Sequence, residues 1–161
     1  DSLVAAISSA RKHDPRIIVE AAVAPAREIE CGVLVDADGT PHASRCAEII
    51  VSSRHDFYDF EAKYLDDSAT LVVPVDLDRE VERRIQELSV RAFEVLGCAG
   101  LARVDFFLRP DGSVVLNEVN TMPGFTSISL FPRMWAAAGV EYAALVDGLV
   151  ADALRRGTGL H

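Results

Sequence analysis

Cysteine is scarce and unpatterned in this sequence. Cys31, Cys46 and Cys98 are three among 161 residues, an odd number with no CxxC spacing. That excludes a disulfide scaffold or zinc ribbon and fits small buried thiols in a reducing compartment. Positive charge is also short: 16 Lys and Arg stand against 25 Asp and Glu, a net charge of -9. Sequence-independent nucleic-acid binding rests on phosphate neutralisation by basic side chains, so neither nucleic acid nor an anionic membrane is an expected partner. If the ligand is an anion, local cations or metal ions must overcome the global field. No apolar run approaches the roughly 18 residues that span a bilayer. A basic stretch followed by an apolar one is missing from the N-terminus, so no export signal is visible and a cytoplasmic location is expected. An initiator methionine is missing as well. The sequence starts at Asp1, as expected of a processed chain or of part of a longer one. Internal repeats and interdomain linkers are absent too.

What is present describes a folded domain. Half the residues are hydrophobic and 25% are charged, an ordinary globular balance. A chain of about 150 residues buries roughly 68–70% of its extended surface, so a core can form without cross-links.

Residues 1–12 carry Leu3, Val4, Ile7 and Ala10 at helical spacing, and Asp14-Pro15 ends the pattern. Residues 16–20 read as a strand. Arg27 to Asp36 alternates, with Ile29, Cys31, Val33 and Val35 on one face, and returns after a turn as Ser44 to Val51. Residues 52–68 have no sustained period and mix four aromatics with Lys63. A loop longer than about 12–15 residues inside a compact domain is functional or disordered, and the aromatics argue for function. Thr70 to Val75 reads as a strand. A helix capped by Asp76 or Asp78 runs to Leu96 and stops at Gly97. Strands over 101–108 and 113–120 form a second hairpin about Pro110-Asp-Gly112, and helices follow over 128–138 and 141–155. This order implies an α+β sandwich with a mostly antiparallel sheet and flanking helices.

The second hairpin carries the chemistry. Side chains alternate faces along a strand, so Arg103, Asp105 and Phe107 share one face, as do Glu118 and Asn120. A four-residue turn over 110–113 would set Asp105 opposite Glu118 and Arg103 opposite Asn120. Val104, Phe106 and Leu108 would then meet Val115 and Val119 on the core side. Carboxylates opposite one another repel, and a hard divalent cation relieves that. The alternative is a solvated hairpin face with an Arg–Asp pair. Asn120 leads into a loop with Pro123-Gly124 and a helix start near Ile128, where backbone N–H groups can hold an anion. Thr126 or Ser127 is the expected cap.

These segments resemble a known family. Arg-Val-Asp-Phe-Phe at 103–107, Asn-Glu-Val-Asn-Thr-Met-Pro-Gly-Phe-Thr at 117–126 and Tyr-Asp-Phe-Glu-Ala-Lys-Tyr at 58–64 are similar to segments of the ATP-grasp ligases, specifically the D-alanine–D-alanine ligases. The resemblance covers nearly the whole chain. It implies an ATP-grasp C-terminal domain at 20–157, preceded at 1–19 by the end of the central nucleotide-binding lobe and followed by a tail at 158–161. It implies ATP and two Mg²⁺ ions (or Mn²⁺) as cofactors, D-alanine as substrate and a homodimer in the full-length enzyme. The implied reaction forms D-alanyl-D-alanine through D-alanyl phosphate, for peptidoglycan precursors. An isolated chain of this length is expected to be inactive.

Site roles follow from the resemblance residue by residue. Asp105, Glu118 and Asn120 match the metal ligands. Arg103 matches the arginine that stabilises the acyl phosphate and the oxyanion, with the Gly124 N–H as second donor. Ser129 and Leu130 match the pair that holds the carboxylate of the second D-alanine. Lys63 matches the phosphate-binding lysine and Tyr64 the tyrosine of a closing loop. Glu20 and Val23 match the adenine hinge, Glu28 the ribose acid, and Phe57 and Phe107 the adenine pocket. D-alanine–D-lactate and D-alanine–D-serine ligases are alternatives within the superfamily, and a non-catalytic nucleotide-binding module derived from such an enzyme is an alternative of a different functional class. Glu-Ala-Lys-Tyr at 61–64 favours the dipeptide.

Other groups read as structural. The four histidines lack metal spacing and belong at the surface. Phe131, Met134 and Trp135 belong in the core, and Cys98 packs at a helix-to-strand junction. Glu82-Arg83-Arg84 reads as a solvated helix face.

Overall fold

A computed structural model describes residues 2–51, 69–126 and 128–157. Five strands form one sheet in the order β3-β2-β1-β4-β5. They are β1 (Arg27–Val35), β2 (Pro41–Val51), β3 (Ala69–Val72), β4 (Leu101–Leu108) and β5 (Val114–Asn120), and every pairing among the described residues is antiparallel. The helices are α1 (Ser2–Ala10), α2 (Arg79–Val95), α3 (Leu130–Ala137) and α4 (Tyr142–Arg156). The α+β class and both hairpins are as expected. No single described helix is long and apolar enough to cross a membrane.

The alternation in β1 and β4 separates two layers. Ile29, Cys31, Val33, Val104 and Phe106 join Ile85 and Phe93 of α2 in the main core. On the opposite face Ala47 and Ile49 pack against Leu130 and Met134 of α3, and Phe131, Trp135 and Leu145 form a third cluster. Phe131, Met134 and Trp135 are thus core residues, as expected. Gly32 lets α3 approach β1: a Cβ there would stand 3.0 Å from Trp135 Nε1 and 3.1 Å from Phe131 Cε2.

Helix α2 starts where Asp78 accepts from the Glu80 N–H, a side-chain N-cap. It stops at Gly97, whose φ of +65° favours glycine. Its charged run differs from expectation. Arg83 and Arg84 are exposed, but Glu82 is half-buried and accepts from Arg45 Nε at 2.8 Å and from the Cys46 N–H at 3.2 Å. A bulge on β2 explains this, because the register slips by one residue between Cys31 and Val33. Gln86 Nε2 also donates to the Ser44 carbonyl at 2.7 Å. Two helix side chains therefore satisfy backbone groups beside the bulge.

Three further expectations are corrected. Residues 16–20 form no strand, and Ile18 and Val19 are 83% and 60% exposed. An extended run becomes a strand only where a neighbour completes its ladder, and no described strand pairs with it. Strand β3 ends at Val72 rather than Val75, although the Val75 N–H still donates to the Cys46 carbonyl. The β4–β5 turn is one residue shorter than the expected four, since Leu108 pairs with Val114 and the Arg109 N–H donates to the Ser113 carbonyl across residues 110–112. A bulge at Asn117 on β5 then supplies the missing residue and restores the expected register. Val114 therefore joins Val119 beside the core, and Val115 stands opposite Phe107 on the other face.

Candidate active site

The site is built on the face of β1, β4 and β5 that does not carry the main core. Asp105 pairs directly with Glu118 and Arg103 with Asn120, the juxtaposition expected from the sequence. Across β4, Glu30 pairs with Asp105, Glu28 with Phe107, and Gly32 with Arg103. Three strands thus converge on one guanidinium.

Arg103 donates from Nε to Asp105 Oδ1 at 2.8 Å and from Nη2 to Asp105 Oδ2 at 2.7 Å. Glu30 Oε2 lies 3.2 Å from Nε, and Glu118 Oε1 lies 3.8 Å from Nη2. The Arg103 side chain is 13% exposed and Glu30 only 3%, whereas Glu118 is 51% exposed. Burial alone pulls the Arg103 pKa down. The Asp105 hydrogen bond and the charges of Glu30, Asp105 and Glu118 outweigh burial and hold it above its ordinary value. The cation is permanent, and among the described residues no partner meets its Nη1 edge.

Glu30 was not singled out in the sequence, although the signal was available. It stands two residues from Glu28, on the strand face opposite Ile29 and Cys31, and a carboxylate placed there among apolar residues needs a partner.

The donor set fits a hard divalent cation. Asp105 and Glu118 offer carboxylate oxygens from adjacent strands, and Asn120 offers an amide oxygen. Each Asp105 oxygen retains a lone pair beyond its bond to Arg103. Asn120 Oδ1 accepts from the Met122 N–H at 2.9 Å and likewise keeps one. Among the described residues no three His, Cys, Asp or Glu side chains are already gathered as a metal cage. Arg103 stands between the carboxylates, and the third donor is an amide.

The loop after β5 is pinned to the helices. Phe125 packs on Phe131 and Tyr142 with ring centroids 5.8 Å and 5.6 Å apart, and Tyr142 Oη donates to the Phe125 carbonyl. Ser129 holds the N-cap position of α3 without capping it through its side chain. Its Oγ instead accepts from the Thr126 N–H at 3.0 Å and bonds Thr126 Oγ1 at 2.8 Å. This corrects the expected cap: Thr126 caps nothing, Ser127 lies outside the described residues, and α3 begins at Leu130. A Cβ on Gly124 would stand 2.9 Å from Ser129 Oγ, so the turn has no room for one. Leu130 is buried in the core, which leaves only its backbone N–H for a ligand.

The remaining candidates divide. Phe107 and Glu28 are half-buried and face each other across β4 and β1. Glu20, exposed, and Val23, half-buried, fall on the irregular run before β1. Phe57, Lys63 and Tyr64 lie outside the described residues.

Comparison with known proteins agrees with this geometry. The family described as D-ala D-ala ligase C-terminus matches residues 1–151. The D-alanine--D-alanine ligase of Mycolicibacterium gilvum is 58% identical over 164 residues, covering 99% of this chain and 44% of the relative. The solved D-alanine-D-alanine ligase of Coxiella burnetii superposes with a TM-score of 0.81 at 38% identity, over 96% of this chain and 39% of that one. The VanG D-Ala:D-Ser ligase of Enterococcus faecalis superposes with a TM-score of 0.79 at 41% identity, over 92% of this chain and 42% of that one. The chain spans less than half the length of these relatives. The sheet order, the Arg103 cluster and the matched families converge: this chain belongs to the D-alanine–D-alanine ligase family, matching its C-terminal part.

Proposed function

We propose that the chain supplies the C-terminal catalytic part of an ATP-dependent ligase that joins two D-alanines. The observation that carries this reading is the cross-strand pairing of Asp105 with Glu118, with Arg103 bonded to Asp105 and Asn120 opposite it. Family membership supports the substrate class. We further propose residues 20–157 as the C-terminal domain, 1–19 as the end of the preceding lobe and 158–161 as a tail. The exposed Ile18 and Val19 support that division, because apolar side chains that open to water suit a surface which another lobe covers. A cytoplasmic homodimer serving cell-wall precursor synthesis is the setting we infer from the resemblance.

Two steps account for the product. The carboxylate of one D-alanine attacks the γ-phosphate of ATP, giving D-alanyl phosphate and ADP. The amine of the second D-alanine then attacks the carbonyl carbon and phosphate leaves, with the amine proton passing to solvent or a nearby base. Asp105, Glu118 and Asn120 would hold Mg²⁺, which when bound neutralises phosphate charge. Arg103, whose Nη1 meets no partner among the described residues, is suited to the acyl phosphate and the tetrahedral oxyanion, and the Gly124 N–H is assigned as the second oxyanion donor. Ser129 Oγ and the Leu130 N–H are assigned to the carboxylate of the second D-alanine. Glu20, Val23, Glu28, Phe57 and Phe107 are assigned to the nucleoside, Lys63 to phosphate and Tyr64 to the closing loop. Closure matters because water would hydrolyse the acyl phosphate.

The test is phosphate release from ATP and Mg²⁺ by the full-length protein, with D-alanine present and absent. D-alanine-dependent release with D-alanyl-D-alanine as product is expected, and release that ignores D-alanine defeats the reading. The likeness to a D-Ala:D-Ser ligase makes D-serine the second acceptor to try. Preference for D-serine over D-alanine in the second position would reassign the substrate and leave the chemistry intact.

A further inference from the structure

We propose that Glu30 is a positioning residue: it is the standing counter-ion of Arg103 and leaves Asp105 available to a divalent cation. The proposal deepens the ligase reading and rests on it.

The two carboxylates bound to the Arg103 edge are not equivalent. Asp105 meets the guanidinium with both oxygens, at 2.8 Å and 2.7 Å. Glu30 approaches Nε more loosely, at 3.2 Å, and is almost fully buried. Asp105 faces Glu118 and Asn120, which complete a hard-oxygen donor set. Glu30 pairs with Asp105 from the other side, on β1. A cation drawn to Asp105 and Glu118 therefore competes with Arg103 for the Asp105 oxygens. A buried guanidinium whose partner is shared with a metal needs another negative charge. Glu30 supplies it from a strand that contributes no metal ligand in this reading. It also fixes orientation, because with Glu30 and Asp105 both on the Nε/Nη2 edge, Nη1 is the edge left for substrate.

Replacing Glu30 by Gln keeps the volume and removes the charge. Arg103 is then compensated only by Asp105 and the more distant Glu118, so it holds Asp105 more tightly. The site also loses one negative charge. Both effects weaken metal binding. Partners one layer out from a metal ligand change affinity or activity by about 10–100-fold when removed.

The experiment uses full-length wild type, Glu30→Gln and Glu30→Asp. It reads Mn²⁺ affinity from loss of the free-ion paramagnetic signal, thermal melting, and D-alanine-dependent phosphate release. For Glu30→Gln, Mn²⁺ affinity is expected to fall about tenfold and kcat by about 10–100-fold, with little change in the KM for D-alanine. Glu30→Asp keeps the charge and should bind Mn²⁺ within about threefold of wild type, while kcat falls at least fivefold because the shorter stem misplaces Arg103. A Glu30→Gln protein that melts lower but binds Mn²⁺ and turns over like wild type overturns the proposal, since a purely structural carboxylate would behave so. If Glu30→Gln does not fold, Glu30→Asp decides, and wild-type turnover by that variant overturns the proposal. A wild type that binds Mn²⁺ but releases no phosphate with D-alanine defeats the ligase reading instead. The Mn²⁺ affinities then still decide the role of Glu30.

Discussion

On β1, Ile29, Cys31 and Val33 are fully buried against the α2 side, while Glu28, Glu30 and Gly32, interleaved with them, face the site. β4 repeats the division, with Val104 and Phe106 on one face and Arg103, Asp105 and Phe107 on the other. The same backbone thus carries two layers of opposite chemistry. The dry face fixes where the strands lie, and the polar face inherits that placement. Three carboxylates can converge on one guanidinium because the apolar half of each strand sets the register. The difference implies that changes on one face should appear in stability and changes on the other in turnover.

Arg103→Ala is the largest break expected on the polar face. Loss of one oxyanion donor costs about 10²–10³ in rate, and kcat of the full-length enzyme should fall at least that far. The variant also leaves Glu30 and Asp105 without their common cation, so some stability should be lost as well. Near-normal turnover would remove Arg103 from the chemistry.

Phe106→Ala is the matching break on the dry face. Phe106 is 2% exposed, and truncating a buried phenylalanine costs about 3–5 kcal/mol. Chemical denaturation should register that loss, while kcat per folded molecule stays within a few-fold of wild type. A collapse of kcat without loss of stability would show that the two faces are not separable.

Gly124→Ala tests the loop that joins the faces. The added Cβ meets Ser129 Oγ at 2.9 Å, and Ser129 is held by Thr126 through two bonds. Ser129 must move. The KM for the second D-alanine should rise about tenfold, a change of about 1.4 kcal/mol, with the melting temperature nearly unchanged. An unaltered KM would free Ser129 from its assigned role.

Much of this division was legible in the sequence, and the exceptions have physical causes. The 2-residue period of Ile29, Cys31 and Val33 announced the dry face, and its complement held Glu30 in plain view. The role of Glu30 is hidden because the period shows in its apolar members, while the partner that gives the carboxylate its meaning, Arg103, lies on another strand. The Asp105–Glu118 pairing was foreseen from a turn length that proved wrong. A turn one residue shorter and a one-residue bulge at Asn117 cancel, so the pairs near the site are the same while Val114 and Val115 exchange faces. Nothing in local spacing reveals a bulge whose effect is cancelled by a turn. Residues 16–20 have the composition of a strand but no ladder, and a ladder is a property of the partner. The role of Glu82 depended on the β2 bulge and was hidden for the same reason.

The smallest effect is expected at a residue on neither face. Asp36, at the β1–β2 turn, accepts from the Asp38 and Thr40 N–H groups and pairs with His42 at 2.8 Å. The Thr40 N–H, with His42 next, holds its carboxyl below the ordinary value. A carboxylate with a depressed folded pKa contributes stability above its unfolded value of about 3.9, and that contribution disappears as pH falls through the lower folded value. Asp36→Asn keeps an acceptor oxygen and removes the charge. Its melting temperature should lie slightly below wild type at pH 7, and the gap should close as the pH is taken below about 4. Turnover at pH 7 should not change, because the turn belongs to neither the dry core nor the Arg103 cluster. A gap that persists unchanged at low pH would trace the effect to turn geometry rather than charge.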